Sequence, residues 1–215
     1  ARSRARLAAD LGLNKATVSS LVTELRERGL FRQGSAERGA VGRPGTIVEI
    51  EKRGGKWHVV KNGAMNRRIT VNTEMALTGP AAGHDRLKTK ADPSGTKVFG
   101  TINNCAGGVT PWCTYIMAEE NIHGYFGGEL PADHPEAANY DRLGIPEGSY
   151  EWAAHYDRFD VSKEPNEPNR FGYIVEVDPM DPNSVPKKRT ALGRFKHEGA
   201  ESIVSKDGRV VFYLG

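Results

Sequence analysis

From Ser3 to Gly29 the apolar positions recur with a helical period: Leu7, Ala8 and Leu11 share one face, then Val18, Leu21, Val22 and Leu25 repeat at i, i+3, i+4, i+7. Gly12 interrupts the run, Asn14 is placed to accept the free amides of a second helix, and Gly29 suits the left-handed residue that closes one. The pattern predicts helix, tight turn, helix. A short apolar stretch, Leu30–Phe31, follows, then a Gly/Arg-rich loop from Gly34 to Gly45 and the alternating Thr46–Glu51.

Beyond that loop the period changes from helical to alternating. Ile47–Glu51 and Trp57–Val60 flank Gly54–Gly55 as a predicted hairpin. Lys97–Ile102, Thr114–Ala118 and Arg170–Val177 are further predicted strands, and Ile203–Ser205 and Arg209–Leu214 flank an Asp207–Gly208 turn. Stretches 127–150 and 160–169, rich in Pro, Gly, Asn and Asp, read as loops. Short strands joined by long loops suit a propeller or an irregular sandwich, and spacing alone does not choose between them.

Composition narrows the class. Hydrophobic residues at 38% and charged residues at 27%, with 25 Gly and 12 Pro, fit a loop-rich globular chain rather than a disordered one. No apolar run reaches the roughly 18–20 residues that span a bilayer, and the first residues lack the order of a secretion signal. As written, the chain is expected to be cytoplasmic, with no membrane partner. The formal charge of +3 is unevenly spread: residues 1–50 hold nine Lys/Arg against five Asp/Glu, and the remainder holds 21 against 22. A polyanion would therefore meet the first segment. Cys105 and Cys113 form neither a CxxC nor a Cys/His zinc pattern, which argues against a disulfide framework.

On the second predicted helix the outward positions include Lys15, Thr17, Ser19 and Ser20, small or hydrogen-bonding residues that let a helix approach base edges and phosphates. Arg38 and Arg43 in the following loop are placed for a phosphate backbone or a minor groove. The strings SRARLAADLGLNKATVSSLVTELRERGLF and GAVGRPGT resemble the winged helix-turn-helix of ROK-family transcriptional regulators. That resemblance implies a duplex DNA partner for residues 1–46. It lacks the helix expected before Ser3 and any sugar-kinase-like domain after the wing.

The second constellation is chemical. Gly100 to Trp112 places Cys105 among amides and glycines just past a strand; Glu119 and Glu120 are adjacent carboxylates at a strand end; Arg194 to Ala200 sets Glu198 beside His197 and Gly199. A thiolate there can approach a metal closely, and two adjacent hard carboxylates suit calcium or ferric iron. The strings NRRITVNTEMALTGPAAGH, GTINNCAGGVTPWCTYIMAEEN, RFGYIVEVDPMDP and PKKRTALGRFKHEGA, in that order, resemble the PhoX family of alkaline phosphatases. The resemblance implies a mainly β fold, here a partial β-propeller over residues 47–215. It also implies an exported enzyme that hydrolyses phosphate monoesters by in-line attack with bound iron and calcium.

By that resemblance Cys105 is an iron ligand, Glu198 a carboxylate ligand of the cluster, and Glu120, with Glu119 second, a calcium or iron ligand. Glu119 and Glu120 alternate across a strand, so one of the two is expected to face a common metal. His197 reads as structural, Cys113 as packing, and Trp112, Trp152, Tyr115 and Tyr125 as core. The chain matches part of the family pattern, so these donors are expected to be too few for a full cluster and the chain inactive by itself. A DNA-binding regulator of the ROK type is the alternative reading.

Overall fold

The computed structural model describes residues 45–215. The predicted helix pair and wing, with Lys15, Thr17, Ser19, Ser20, Arg38 and Arg43, lie outside the described residues. Within them the chain is strand and loop, as the alternating pattern predicts. The predicted glycine hairpin forms between β2 (Ile50–Arg53) and β3 (Lys56–Val59), with Gly54 at φ +56° and Gly55 at φ +79°. Two successive left-handed residues match the right-handed twist of the flanking strands. The last hairpin also forms, between β11 (Ala200–Val204) and β12 (Val210–Leu214). Just before the first hairpin, Gly45–Ile47 makes a separate strand, β1, against β4 (Arg67–Ile69).

The main sheet has six strands in the order β6, β5, β10, β9, β8, β7, where β5 is Glu74–Thr78, β6 Lys97–Phe99, β7 Asn104–Val109, β8 Tyr115–Glu119, β9 Ile174–Val177 and β10 Lys187–Arg189. The β5–β10 pair is parallel and the others antiparallel. A propeller requires separate four-stranded antiparallel blades. The described strands instead form this one mixed sheet and three two-stranded ones, so the expected partial β-propeller is not formed among the described residues.

Side-chain alternation divides the sheet into two faces. Met75, Leu77, Val98, Met117, Val175 and Val177 join the larger core, together with Ile122, Phe126, Phe159 and Phe171 from the loop-rich segment that follows β8. Phe126 sits 5.3 Å from Phe159 and 5.8 Å from Phe171, ring centre to ring centre. Ile116, Ala118 and Ile174 point to the opposite face, where Ala200, Leu192, Phe212 and Leu214 cover them. The second face is thus closed by the β11–β12 hairpin.

The stretch 127–150 holds one short helix, α1 (Ala137–Leu143), where a loop was expected. Tyr140 and Leu143 supply its buried side and Gly144, at φ +72°, ends it. Two apolar contacts in seven residues are too few for a periodic signal. Charged side chains tie the loops down: Arg86 grips Glu136 with two bonds of 2.5 Å, and Arg158 Nε donates to Glu167 at 2.8 Å. Among the described residues no helix is long and apolar enough to cross a membrane.

Candidate functional site

Cys105 lies within β7, at the edge of the main sheet, and not past a strand end as its glycine-rich surroundings suggest. Asn104 pairs with Glu119 and Gly107 with Met117, so β7 carries one extra residue there, a bulge at Cys105–Ala106. Bulges re-aim side chains, and this one opens the thiol to solvent. The glycines after it are needed for close approach. A Cβ on Gly107 would stand 1.9 Å from the Ile116 carbonyl oxygen, and one on Gly108 2.6 Å from Glu201 Oε1.

Two other chain segments meet the bulge. The amide of Glu120, one residue past β8, donates to the Asn103 carbonyl at 3.2 Å, and the amide of Ala106 donates to the Glu198 carbonyl at 3.0 Å. Cys105, Glu120 and Glu198 are thereby brought together from three segments. Their coupling is electrostatic: the Cys105 thiol is held above its ordinary pKa, first by desolvation, then by the negative charges of Glu120 and Glu198. The Ala106 amide opposes the shift.

Glu119 goes the other way. It is fully buried on the larger-core face, where Lys188 Nζ donates to Oε1 at 2.8 Å, and the amides of Gly172 and Tyr173 donate to Oε2 at 2.9 and 3.1 Å. The Ile102 amide reaches Oε1 at 3.4 Å. A carboxylate satisfied this fully has no oxygen turned to the Cys105 side, so of the two adjacent glutamates it is Glu120 that faces the thiol, as strand alternation requires. The expectation of Glu119 as a second metal carboxylate gives way to a buried ion pair. Lys188, the partner, was not legible: in Lys187–Lys188–Arg189 it looks like one charge of a solvated run. Burial pulls it down to about 8, against the raising effect of Glu119, and its ammonium lies 3.7 Å from the centre of the Phe171 ring.

The remaining expectations divide. His197 is structural: it is fully buried, its ring lies 3.5 Å from that of Phe195, Nε2 is 3.3 Å from the Gly193 carbonyl oxygen, and burial lowers its pKa. Tyr125 is core and Trp152 packs against it. Trp112 and Tyr115 are exposed instead, at the β7–β8 turn and the start of β8. Trp112 keeps one end anchored, donating from Nε1 to Glu176 at 2.7 Å. Cys113 is exposed rather than packed and sits at φ +68°. It closes a three-residue turn in which its amide donates to Thr110 at 3.0 Å, a position that favours Gly.

The residues present fit a metal in kind. One soft thiol and two hard carboxylates share one sheet edge. One residue away, Asn104 Oδ1 is a buried carbonyl oxygen with no hydrogen-bond partner among the described residues. Amide oxygens of this type are calcium donors. A bound cation would reverse the local electrostatics, because coordination deprotonates a thiol outright. The spacing is wider than that of a formed centre: among the described residues no three His, Cys, Asp or Glu side chains stand close enough to enclose an ion.

With this geometry in place, similarity to known proteins becomes informative. The family described as "Alkaline phosphatase PhoX" matches residues 22–215. The chain belongs to the PhoX family. Its match begins inside the stretch that reads as the second helix of a helix-turn-helix, so Arg38 and Arg43 fall within the PhoX match while Lys15, Thr17, Ser19 and Ser20 precede it. A solved structure, Pseudomonas fluorescens PhoX in complex with vanadate, a transition state analogue, is 45% identical, with a TM-score of 0.73. The similarity covers 79% of this chain and 30% of that one, so the chain spans under a third of its PhoX relative. A search among curated proteins finds no match.

Proposed function

We propose that this chain supplies part of the metal centre of a phosphomonoesterase whose substrates are phosphate esters. The observation that supports this most directly is the convergence of Cys105, Glu120 and Glu198 at one bulged sheet edge in a chain of the PhoX family. In this reading Cys105 holds iron through its thiolate, while Glu198 and Glu120 hold iron or calcium through hard oxygens. Bound cations supply Lewis-acid neutralisation of the charge that develops on the phosphoryl oxygens. The chain's own contribution is placement. The bulge turns the thiol outward, and Ile116, Ala118 and Ile174 pack under the β11–β12 hairpin, which anchors the strand that leads into Glu120. Hydrogen bonds between Ala106 and Glu198 and between Glu120 and Asn103 fix the three segments to one another.

The test is iron and calcium loading of the chain, followed by phosphate release from a model aryl phosphate. Iron uptake and any turnover are expected to be lost together in Cys105→Ser, because a neutral hydroxyl replaces a thiolate donor. Both are expected to persist in Cys113→Ser. Loss of an essential donor should cost about 10³-fold or more in turnover. Unchanged iron uptake by Cys105→Ser would remove the assignment.

A further inference from the structure

We infer that Glu119, held by Lys188, is the positioning residue of this site: a buried hub that sets where Cys105, Glu120 and Glu198 stand relative to one another. This goes a step beyond the proposed function, on which its metal arm rests. Four segments meet at one residue. The carboxylate accepts the amide of Ile102, at the entry to the Cys105 bulge, and the amides of Gly172 and Tyr173, which lead into β9. The Glu119 carbonyl accepts the amide of His197 at 3.1 Å, immediately before Glu198. Glu120 is the next residue along the chain. Each candidate donor is therefore one to three residues from a bond made by Glu119.

Lys188 keeps that carboxylate in place. Its ammonium donates to Glu119 Oε1 and, at 2.9 Å, to the Arg170 carbonyl, while the Phe171 ring covers it; both charged side chains have no solvent exposure. A single charge in this core would be unpaired, so the pair acts as a unit. Neither residue is exposed to the Cys105 side, which gives them a role in geometry and none in direct contact with substrate.

The experiment compares wild type with Glu119→Gln and with the double variant Glu119→Gln/Lys188→Met. The double variant removes both charges and leaves none buried alone, so it keeps the test alive if the single variant does not fold. A cavity variant on the same sheet face, Leu77→Ala, shows what general loosening does. The first readout needs no metal: the rate at which iodoacetamide alkylates Cys105 relative to Cys113 in the same molecule. Freed from the Ile102 anchor, the bulge is expected to open further around Cys105 and raise that ratio about fivefold in the hub variants, and to leave it unchanged in Leu77→Ala. The second readout is iron and calcium affinity, each ion titrated separately, expected to fall about 10–100-fold in the hub variants. A folded hub variant whose alkylation ratio stays at the wild-type value overturns the hub, whatever the metals do. A raised ratio in a protein whose wild type takes up no metal sustains the hub and overturns the proposed metal function.

Discussion

Glu119 and Glu120 are chemically identical neighbours with opposite roles, and the difference lies in the two faces of the sheet they leave by. On the Glu119 face a broad apolar core encloses charge completely: Lys188, Glu119 and the aromatic rings of Phe126, Phe159 and Phe171 share one dry layer. On the Glu120 face the apolar layer has only four buried residues, Ile116, Ala118 and Ile174 of the main sheet and Ala200 of the covering hairpin, and beyond its edge Cys105, Glu120 and Glu198 stand open or half-open to solvent. The first face pairs its buried charges because burial makes an unpaired one intolerable; at the open edge of the second, like charges stand near one another because water screens them. One face encloses its charges and the other leaves them open to solvent.

The contrast is broken most severely by Lys188→Met. With its partner gone, Glu119 keeps a charge in the core, and unfolding in urea is expected to show a loss of about 3–5 kcal/mol. A loss below about 1 kcal/mol would mean that the pair is not buried as described.

Next in size are two aromatic truncations, one on each face. Phe159→Ala opens a cavity among fully buried rings and is expected to cost about 3–5 kcal/mol. Phe212→Ala, half-buried on the hairpin, should cost about 1–2 kcal/mol, since less of its surface leaves water on folding. Equal losses would show that the hairpin face is packed as deeply as the other.

The pH dependence of stability sharpens the same distinction. Lys188 is held at about 8 in the fold, below its ordinary 10.5, so between these values the unfolded chain binds more protons and stability should rise with pH. Tyr140 and Tyr173, buried on the same side, are held above the ordinary value of 10 chiefly by desolvation. The stability they confer is complete below pH 10 and is lost as the pH rises toward their folded values. Denaturant midpoints taken from pH 7 to 11 should therefore climb above pH 8 and turn down beyond about 10. A flat profile from 8 to 10 would show that Lys188 is not desolvated.

The smallest expected effect is at the turn that leads onto β8. Cys113→Gly relieves a left-handed residue at φ +68° and should raise stability by about 0.5–1 kcal/mol, read as a small upward shift in melting temperature. A decrease would show that the exposed thiol makes a contact worth more than the strain.

Much of this was legible from residue order. Gly54–Gly55 and Asp207–Gly208 mark hairpins because a tight turn needs a residue tolerant of positive φ, and both hairpins formed, the first across Gly54–Gly55 alone and the second across a longer turn with Gly208 at φ +83°. The alternation of Glu119 and Glu120 followed from the strand period. Strand β7 was not legible, because Asn104, Gly107 and Gly108 have poor strand propensity and are explained only by the backbone and side chain that approach them. The exposure of Trp112 and Tyr115 was likewise hidden, since aromatic residues read as core until the edge position is known.

The sequence by itself determined the change from a helical to an alternating period, the positions of the glycine turns, the motifs that mark the PhoX family, and the pairing of a thiol with carboxylates as a donor set. Only the tertiary structure decided that β5 and β10 run parallel, that Lys188 leaves a basic run to neutralise Glu119, and that a bulge turns Cys105 toward Glu120 and Glu198. The reason is the range over which each is fixed. Period and turn chemistry act between residues a few positions apart, whereas the Glu119–Lys188 bond joins residues 69 positions apart, and which charge is buried with which depends on desolvation in a core that exists only once the sheet has formed.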